Sequence, residues 1–149
     1  MTTIAWTGSE VAADTRGVVG DLVQQSPTIK LLERKGVIYC LTGDFGQCLA
    51  VVDWLISGAS IDEAPQFLDE PGFDILVIED SDTGHIYSAS YHSYPVDPPV
   101  TMGTGHHVAI GAIMAGASAY QAVEIACKLD NNSGLPVQRM KVKNAKKDP

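Results

Sequence analysis

Apolar residues in this chain fall into two rhythms, short β-prone runs and longer helical stripes. Residues 3–6 and 10–14 are short apolar-rich runs on either side of Thr7-Gly8-Ser9, which predicts a hairpin. Gly17 and Gly20 loosen the next segment, Ser26-Pro27 marks a turn, and a strand can restart over 29–33. The run Val-Ile-Tyr-Cys-Leu-Thr over 37–42 is strongly β-prone and hardly alternates, so both of its faces should be covered. A strand over 73–79, a turn over 80–84 and a partner strand over 85–91 follow the same logic. The Pro-rich stretch 95–99 reads as a loop, and residues 137–142 as a last strand.

The helical rhythm starts after Gly43-Asp44-Phe45-Gly46 breaks the strand. A helix is expected from about 47 to 57, with Leu49, Val52, Leu55 and Ile56 on its apolar stripe and Gly58 as its stop. Ser60-Ile-Asp-Glu63 is a capping-box pattern that predicts a short helix to about Leu68. Met102-Gly-Thr-Gly105 is a tight turn opening a helix over 106–115. Ser118-Ala-Tyr-Gln121 is a second capping box, starting a helix to about Leu129 with Ala119, Ala122, Val123 and Ala126 on its buried face. The small residues Ala109, Gly111, Ala112, Ala115 and Ala119 suit two helices packed closely over a sheet. Strands, a helix pair, strands, a second helix pair and a strand, with hairpins dominant, predict the α+β class: a four-layer αββα sandwich of two antiparallel sheets between helical layers. At 149 residues the chain suits one domain, expected over 1–143, with 144–149 as a flexible basic tail.

Composition narrows the function. A net charge of -8 argues against general nucleic-acid binding. No transmembrane run or signal peptide is apparent, so a cytoplasmic location is expected. Cys40, Cys48 and Cys127 are far apart and odd in number, which argues against a disulfide frame or a zinc site. No cofactor or metal is expected. His106-His107 is a tempting metal pair, but neighbours on a helix diverge and no further ligand has suitable spacing, so a structural or pocket-lining role is expected. Trp6 and Trp54 read as core or subunit-interface residues. Upstream of Lys128 only Arg16, Lys30, Arg34 and Lys35 are basic, so each cation in the acidic body stands out.

Six motifs now matter together: Thr2-Thr3-Ile4, Ala12-Ala13-Asp14-Thr15-Arg16, Lys30-Leu31, Thr42-Gly43-Asp44-Phe45-Gly46, Gly103-Thr104-Gly105 and Asp130-Asn-Asn-Ser-Gly134. In this order and near these intervals, over residues 2 to about 140, the chain resembles proteasome β-subunits. The opening Thr-Thr-Ile is most similar to the HslV-type bacterial protease that works with an ATP-driven unfoldase. The resemblance implies an N-terminal nucleophile hydrolase fold and a threonine-type endopeptidase.

Carried over residue by residue, Thr2 matches the nucleophile once Met1 is removed, as methionine aminopeptidase does before a small residue. Its own α-amine would be the base, with a pKa of about 7.7–8.0 in model compounds. Asp14 and Lys30 match the carboxylate and ammonium beside that threonine, and Arg16 a neighbouring basic residue with a packing role. Gly43 matches the glycine whose backbone N–H stabilises the oxyanion. Thr104 stands where relatives usually carry serine, keeping the hydroxyl and adding a methyl. Asp130 and Ser133 match a supporting Asp-x-x-Ser pair. Gly17, Thr28, Leu41 and Phe45 match specificity-pocket positions and imply an apolar side chain before the cleaved bond. The family further implies a homo-oligomer in stacked rings, a peptide or unfolded-protein substrate and an unfoldase ATPase partner. The second helix of the first face, long in relatives, is shortened here to about 60–68. Without the resemblance, Asp14 and Lys30 would be an ordinary surface ion pair and Asp130 and Ser133 an Asx-turn. Two rival functions stay open: an inactive self-assembling scaffold with this fold, and a hydrolase of small amides.

Overall fold

In the computed structural model, residues 2–146 are described; Met1 and 147–149 lie outside them, and with them the question of Met1 removal and the end of the basic tail. The first hairpin forms as expected, from β1 (Ile4–Trp6) and β2 (Glu10–Ala13). A small exposed hairpin follows, β3 (Val18–Val19) with β4 (Leu22–Val23). Then come β5 (Leu31–Arg34) and β6 (Val37–Gly43), the helix α1 (Phe45–Ile56), and a single 3-10 turn at Ile61–Glu63. The chain continues through β7 (Phe73–Ile78), β8 (Gly84–Tyr87), β9 (Ser93–Val96) and β10 (Val100–Met102). It ends with α2 (His106–Met114), α3 (Ala119–Leu129) and β11 (Gln138–Lys141).

Two antiparallel sheets form the centre. One has the order β10-β1-β2-β11 and the other β5-β6-β7-β8-β9. Side-chain alternation explains why neither sheet has a polar face. Ile4, Trp6, Val11 and Ala13 point into a core shared with Ile38, Cys40, Leu76 and Ile78 of the other sheet. Ala5 and Ala12, on the opposite face, pack under Ala109, Ala119, Ala122 and Val123 of α2 and α3. Tyr39, Leu41, Ile75 and Val77 face outward onto Cys48, Val51, Val52 and Trp54 of α1. The unalternating run of β6 is thus a strand covered on both sides, as expected. Both tryptophans are core residues. The fold is α+β, with two antiparallel sheets between helical layers.

The helical layers are unequal. Over the four-stranded sheet, α2 and α3 pack closely because alanine dominates the contact. The Ser118 capping box is real: its side chain accepts from Gln121 N–H, and Gln121 returns a bond to the Ser118 backbone. The buried face of α3 is the expected Ala119, Ala122, Val123 and Ala126. Over the five-stranded sheet the described residues form only α1. The Ser60 pattern makes no side-chain cap and yields one 3-10 turn, so the expected helix to Leu68 does not form. Its place is taken by an aromatic cluster in which Trp54, Phe67, Phe73, Tyr87 and Tyr91 meet edge-on or tilted.

Three other expectations shift. Helix α1 starts at Phe45, because the Asp44 carboxylate caps it by accepting from Gln47 N–H at 2.9 Å. Its buried stripe runs through Cys48, Val51, Val52 and Trp54, leaving Leu49 exposed. Pro95 lies inside β9 and not in a loop; β9 is the sheet edge, where a missing N–H breaks no ladder. Finally, β10 is an unforeseen strand, pairing Ile4 with Met102 and Trp6 with Val100.

Candidate functional site

Sheet register brings the singled-out residues together. Because β1 pairs with β2 at Ile4 and Ala13, Thr3 and Asp14 follow as neighbours, and Asp14 N–H donates to the Thr3 carbonyl at 3.1 Å. Because β1 pairs with β10, the turn Gly103-Thr104-Gly105 lands beside Thr2, and Gly105 N–H donates to the Thr2 carbonyl at 3.3 Å. Gly103 has φ +88, and a Cβ there would overlap that same carbonyl, so only glycine lets the two strands meet this way. Lys30 precedes β5 in the facing sheet. Its backbone N–H donates to Gln138 Oε1 of β11 at 2.7 Å, which ties one sheet to the other at this point.

Asp14 is the hub of one side of the site. It is fully buried, and its carboxylate accepts from the N–H groups of Thr3 (2.9 Å), Arg16 (3.1 Å) and Gly134 (3.0 Å). The Lys30 ammonium donates to the same carboxylate at 2.8 Å and to the Arg16 carbonyl at 2.8 Å. Lys30 and Asp14 therefore form a buried pair, not the surface pair that an isolated Asp and Lys would suggest. Burial pulls the Lys30 pKa below its ordinary 10.5, and the charge and hydrogen bond of Asp14 oppose that shift without cancelling it. Arg16 turns away from this pair, donating to the Asn131 carbonyl at 2.8 Å, a packing contact as expected.

The other side is a relay of hydroxyls. Ser133 Oγ donates to Asp130 Oδ2 at 2.6 Å, and Thr104 Oγ1 donates to the same oxygen at 2.6 Å. Ser133 Oγ lies 2.6 Å from Thr3 Oγ1. With the single serine proton directed at Asp130, Thr3 is the donor in that contact. Burial alone would raise the Asp130 pKa, but bonds from Ser133, Thr104 and the Asn132 N–H outweigh it, and the carboxyl sits below its ordinary 3.8. Thr104 Oγ1 also stands 3.5 Å from the Thr2 carbonyl, a long contact. Thr3, Gly103 and Gly134 were not singled out from the sequence, although all three lie inside the quoted motifs. Their backbone or hydroxyl contacts leave no compositional mark.

Thr2 and Lys30 border a cavity of about 830 Å³ that is also lined by Gly17, Thr28, Leu41, Gly43 and Phe45. All four expected specificity positions thus line one cavity with Thr2. Gly43 ends β6 with φ +92; a Cβ there would overlap the Gly72 carbonyl, so the position demands glycine. A second cavity, of about 930 Å³, adjoins the first at Gly43 and is lined by Thr104, His106 and His107. The histidine rings do not diverge. Their centroids are 3.9 Å apart, because at the start of α2 no preceding turn blocks the side chain of His106. Among the described residues no cluster of His, Cys, Asp or Glu could hold a metal ion, and no helix is long and apolar enough to cross a membrane.

No family model and no curated protein matches the chain. Solved structures do. HslV from Trypanosoma brucei superposes with a TM-score of 0.73 at 16% identity, over 97% of this chain and 100% of that one. Thiobacillus denitrificans BPH in complex with epoxomicin matches with a TM-score of 0.72 at 19% identity, over 97% and 99%. The structure named simply as that BPH gives 0.69 at 20% identity, over 97% and 98%. At such identities the likeness establishes the fold, and the chain has the proteasome-type fold of the N-terminal nucleophile hydrolases, similar throughout its length to HslV.

Proposed function

We propose that this chain is a threonine-type peptidase whose nucleophile is Thr2, exposed by removal of Met1. The observation that carries the reading is the buried Asp14–Lys30 pair next to a threonine that faces a cavity. A buried ion pair costs desolvation, and replacing it with apolar packing would often be neutral or stabilising. A chemical role accounts for its presence. In the proposed reaction Thr2 Oγ1 attacks the peptide carbonyl and its proton passes to the Thr2 α-amine. Lys30 supplies positive charge near the hydroxyl and favours its deprotonation. The Gly43 backbone N–H donates to the oxyanion, a contact whose loss typically costs about 10²–10³ in rate. The Thr2 ammonium returns that proton to the leaving nitrogen as the tetrahedral adduct collapses, which expels the leaving amine and leaves an acyl ester on Thr2; water activated by the again-neutral amine then hydrolyses it. Asp130, Ser133 and Thr104 hold the strand that carries Thr2. Gly17, Thr28, Leu41 and Phe45 form the pocket for an apolar side chain.

The protein is further read as a cytoplasmic homo-oligomer acting on peptides or unfolded proteins, with an unfoldase ATPase as its partner. Fluorogenic peptides with an apolar residue before the cleaved bond test the central claim. Wild type should turn them over and Thr2→Ala should not. Equal turnover by both would sink the mechanism. Intact mass should show a mature chain without Met1. Epoxomicin, a ligand of the Thiobacillus denitrificans protein, should bind wild type and not Thr2→Ala.

A further inference from the structure

The second cavity has no role in the chemistry just described, yet it meets the first at one residue, Gly43, the proposed oxyanion donor. Both cavities thus include the residue proposed to hold the scissile carbonyl. The first contains the proposed specificity pocket, which takes the acyl half of the substrate. The second is left for the half that departs. Its lining includes Gly72, Tyr94, Met102 and Thr104, together with the neighbouring, mutually tilted imidazoles of His106 and His107. Asp74 is the one carboxylate among the described residues that line it.

The histidines sit at the start of α2, where the helix dipole favours a negative ligand. The N-cap is Gly105, which offers no side chain to the first-turn N–H groups, unlike Asp44 and Ser118 at the other two helices. The Thr101 hydroxyl donates to the His106 carbonyl at 3.0 Å and holds this corner against β10. Two imidazoles in contact, a helix start without a side-chain cap and a cavity of peptide dimensions converge on one spot.

We propose that this groove binds the leaving half of the substrate and that His106 and His107 select a carboxylate in it. The inference rests on the peptidase reading for the direction of the chain. The carboxylate could be an acidic side chain close to the cleaved bond or the free terminus of a short leaving segment.

Internally quenched peptides identical on the acyl side separate the sources. One arm compares Glu with Gln at the first three leaving-side positions, and the other compares a free C-terminus with its amide. Wild type should favour one carboxylate form by about five- to tenfold, the scale of a charge-assisted hydrogen bond in a partly open groove. In the double variant His106→Gln/His107→Gln that ratio should fall to about one. Because the ratio is internal to each enzyme, a general loss of activity leaves it readable, and the two single variants serve if the double variant misfolds. A ratio near one in wild type, or one unchanged in the variants, would overturn the proposal. Binding is measured separately on Thr2→Ala, titrating the acidic leaving-half peptide and its Gln counterpart while following the histidine ring resonances. Failure of the acidic peptide to shift either ring would overturn the proposal whatever the state of catalysis. Selective binding together with inert wild type would instead sink the peptidase reading and leave a carboxylate site.

Discussion

The two sides of Thr2 hold the same strand by opposite means. On the Asp14 side the groups are charged and buried, with an ammonium and three backbone N–H groups on one carboxylate. On the Asp130 side a half-buried carboxylate collects hydroxyl donors and passes its hold on to Thr3 through Ser133. A buried ion pair is brittle, since removing either partner strands the other in low dielectric. The outer end of the hydroxyl relay, at Asp130 and Thr104, is more tolerant, since water can replace a donor lost there. The first arrangement sets charge and the second sets position, so damage to the two sides should differ in size and kind.

Breaking the buried pair should have the largest effect. Lys30→Ala leaves the Asp14 charge buried with only N–H donors, which should cost about 3–5 kcal/mol of stability in denaturant unfolding and abolish peptide turnover. Asp14→Asn/Lys30→Met restores neutrality. It should recover much of the stability and none of the turnover, which separates the structural cost of the pair from its chemistry. The pH dependence carries a matching sign. The folded-state pKa of Lys30 lies below 10.5, so between that value and 10.5 the unfolded chain holds the extra proton, and this group makes stability rise with pH there. The difference between wild type and Lys30→Ala across that window should show the rise, and a flat difference would mean that burial does not penalise the charge.

Ser133→Ala should come next. Ser133 is fully buried and bonds both Thr3 and Asp130. Its loss strands the Thr3 hydroxyl and should cost about 1–3 kcal/mol. Turnover should fall with it, because the backbone that carries Thr2 is the next one along. A stability loss with full turnover would mean that the relay holds the fold and not the nucleophile.

How far these contrasts could be read from the sequence depends on what each contact leaves in it. The hairpin around Thr7-Gly8-Ser9, the doubly covered β6 and the capped α3 come through because each rests on local chemistry. A turn triplet, an unbroken apolar run and a Ser-x-x-Gln box each act within a few residues. The missing helix after Ser60 does not come through. Its capping pattern is present in the sequence but makes no side-chain cap, Leu68 finds no core to enter, and aromatic residues from Phe67 to Tyr91 fill the space instead. Strand β10 hides for a similar reason, since its three residues follow a Pro-rich stretch and are specified by pairing with β1. For the site, no spacing rule joins Asp14, Lys30, Asp130 and Ser133. Only the ordered motifs grouped them, and sheet register then explains the proximity. The depth of Asp14 and Lys30 is a tertiary property with no local mark.

Asp130→Asn tests the outer side by pH. The folded-state pKa of Asp130 is below 3.8, so its contribution is present above the unfolded value and lost as pH falls through the folded one. Acid unfolding should therefore be shallower in Asp130→Asn over that range, with the variant less stable than wild type near neutral pH and the two converging in acid. An acid limb identical to wild type would place the acid-sensitive bonds elsewhere.

The smallest effect should come from Thr104, and it tests whether the outer side works by hydroxyl or by shape. Thr104→Ser keeps the 2.6 Å bond to Asp130 and removes only an exposed methyl. Surface changes of this kind usually stay within about 0.5 kcal/mol. Turnover should therefore stay close to wild type. Thr104→Val has the same shape without the donor, and it takes one of the two hydroxyl bonds from Asp130 Oδ2. Its carboxyl pKa should then move back up toward 3.8, by the sign of that bond. Turnover should drop more in Thr104→Val than in Thr104→Ser. If the two variants behave alike, the methyl and not the hydroxyl is what the turn contributes, and the outer side holds Thr2 by packing.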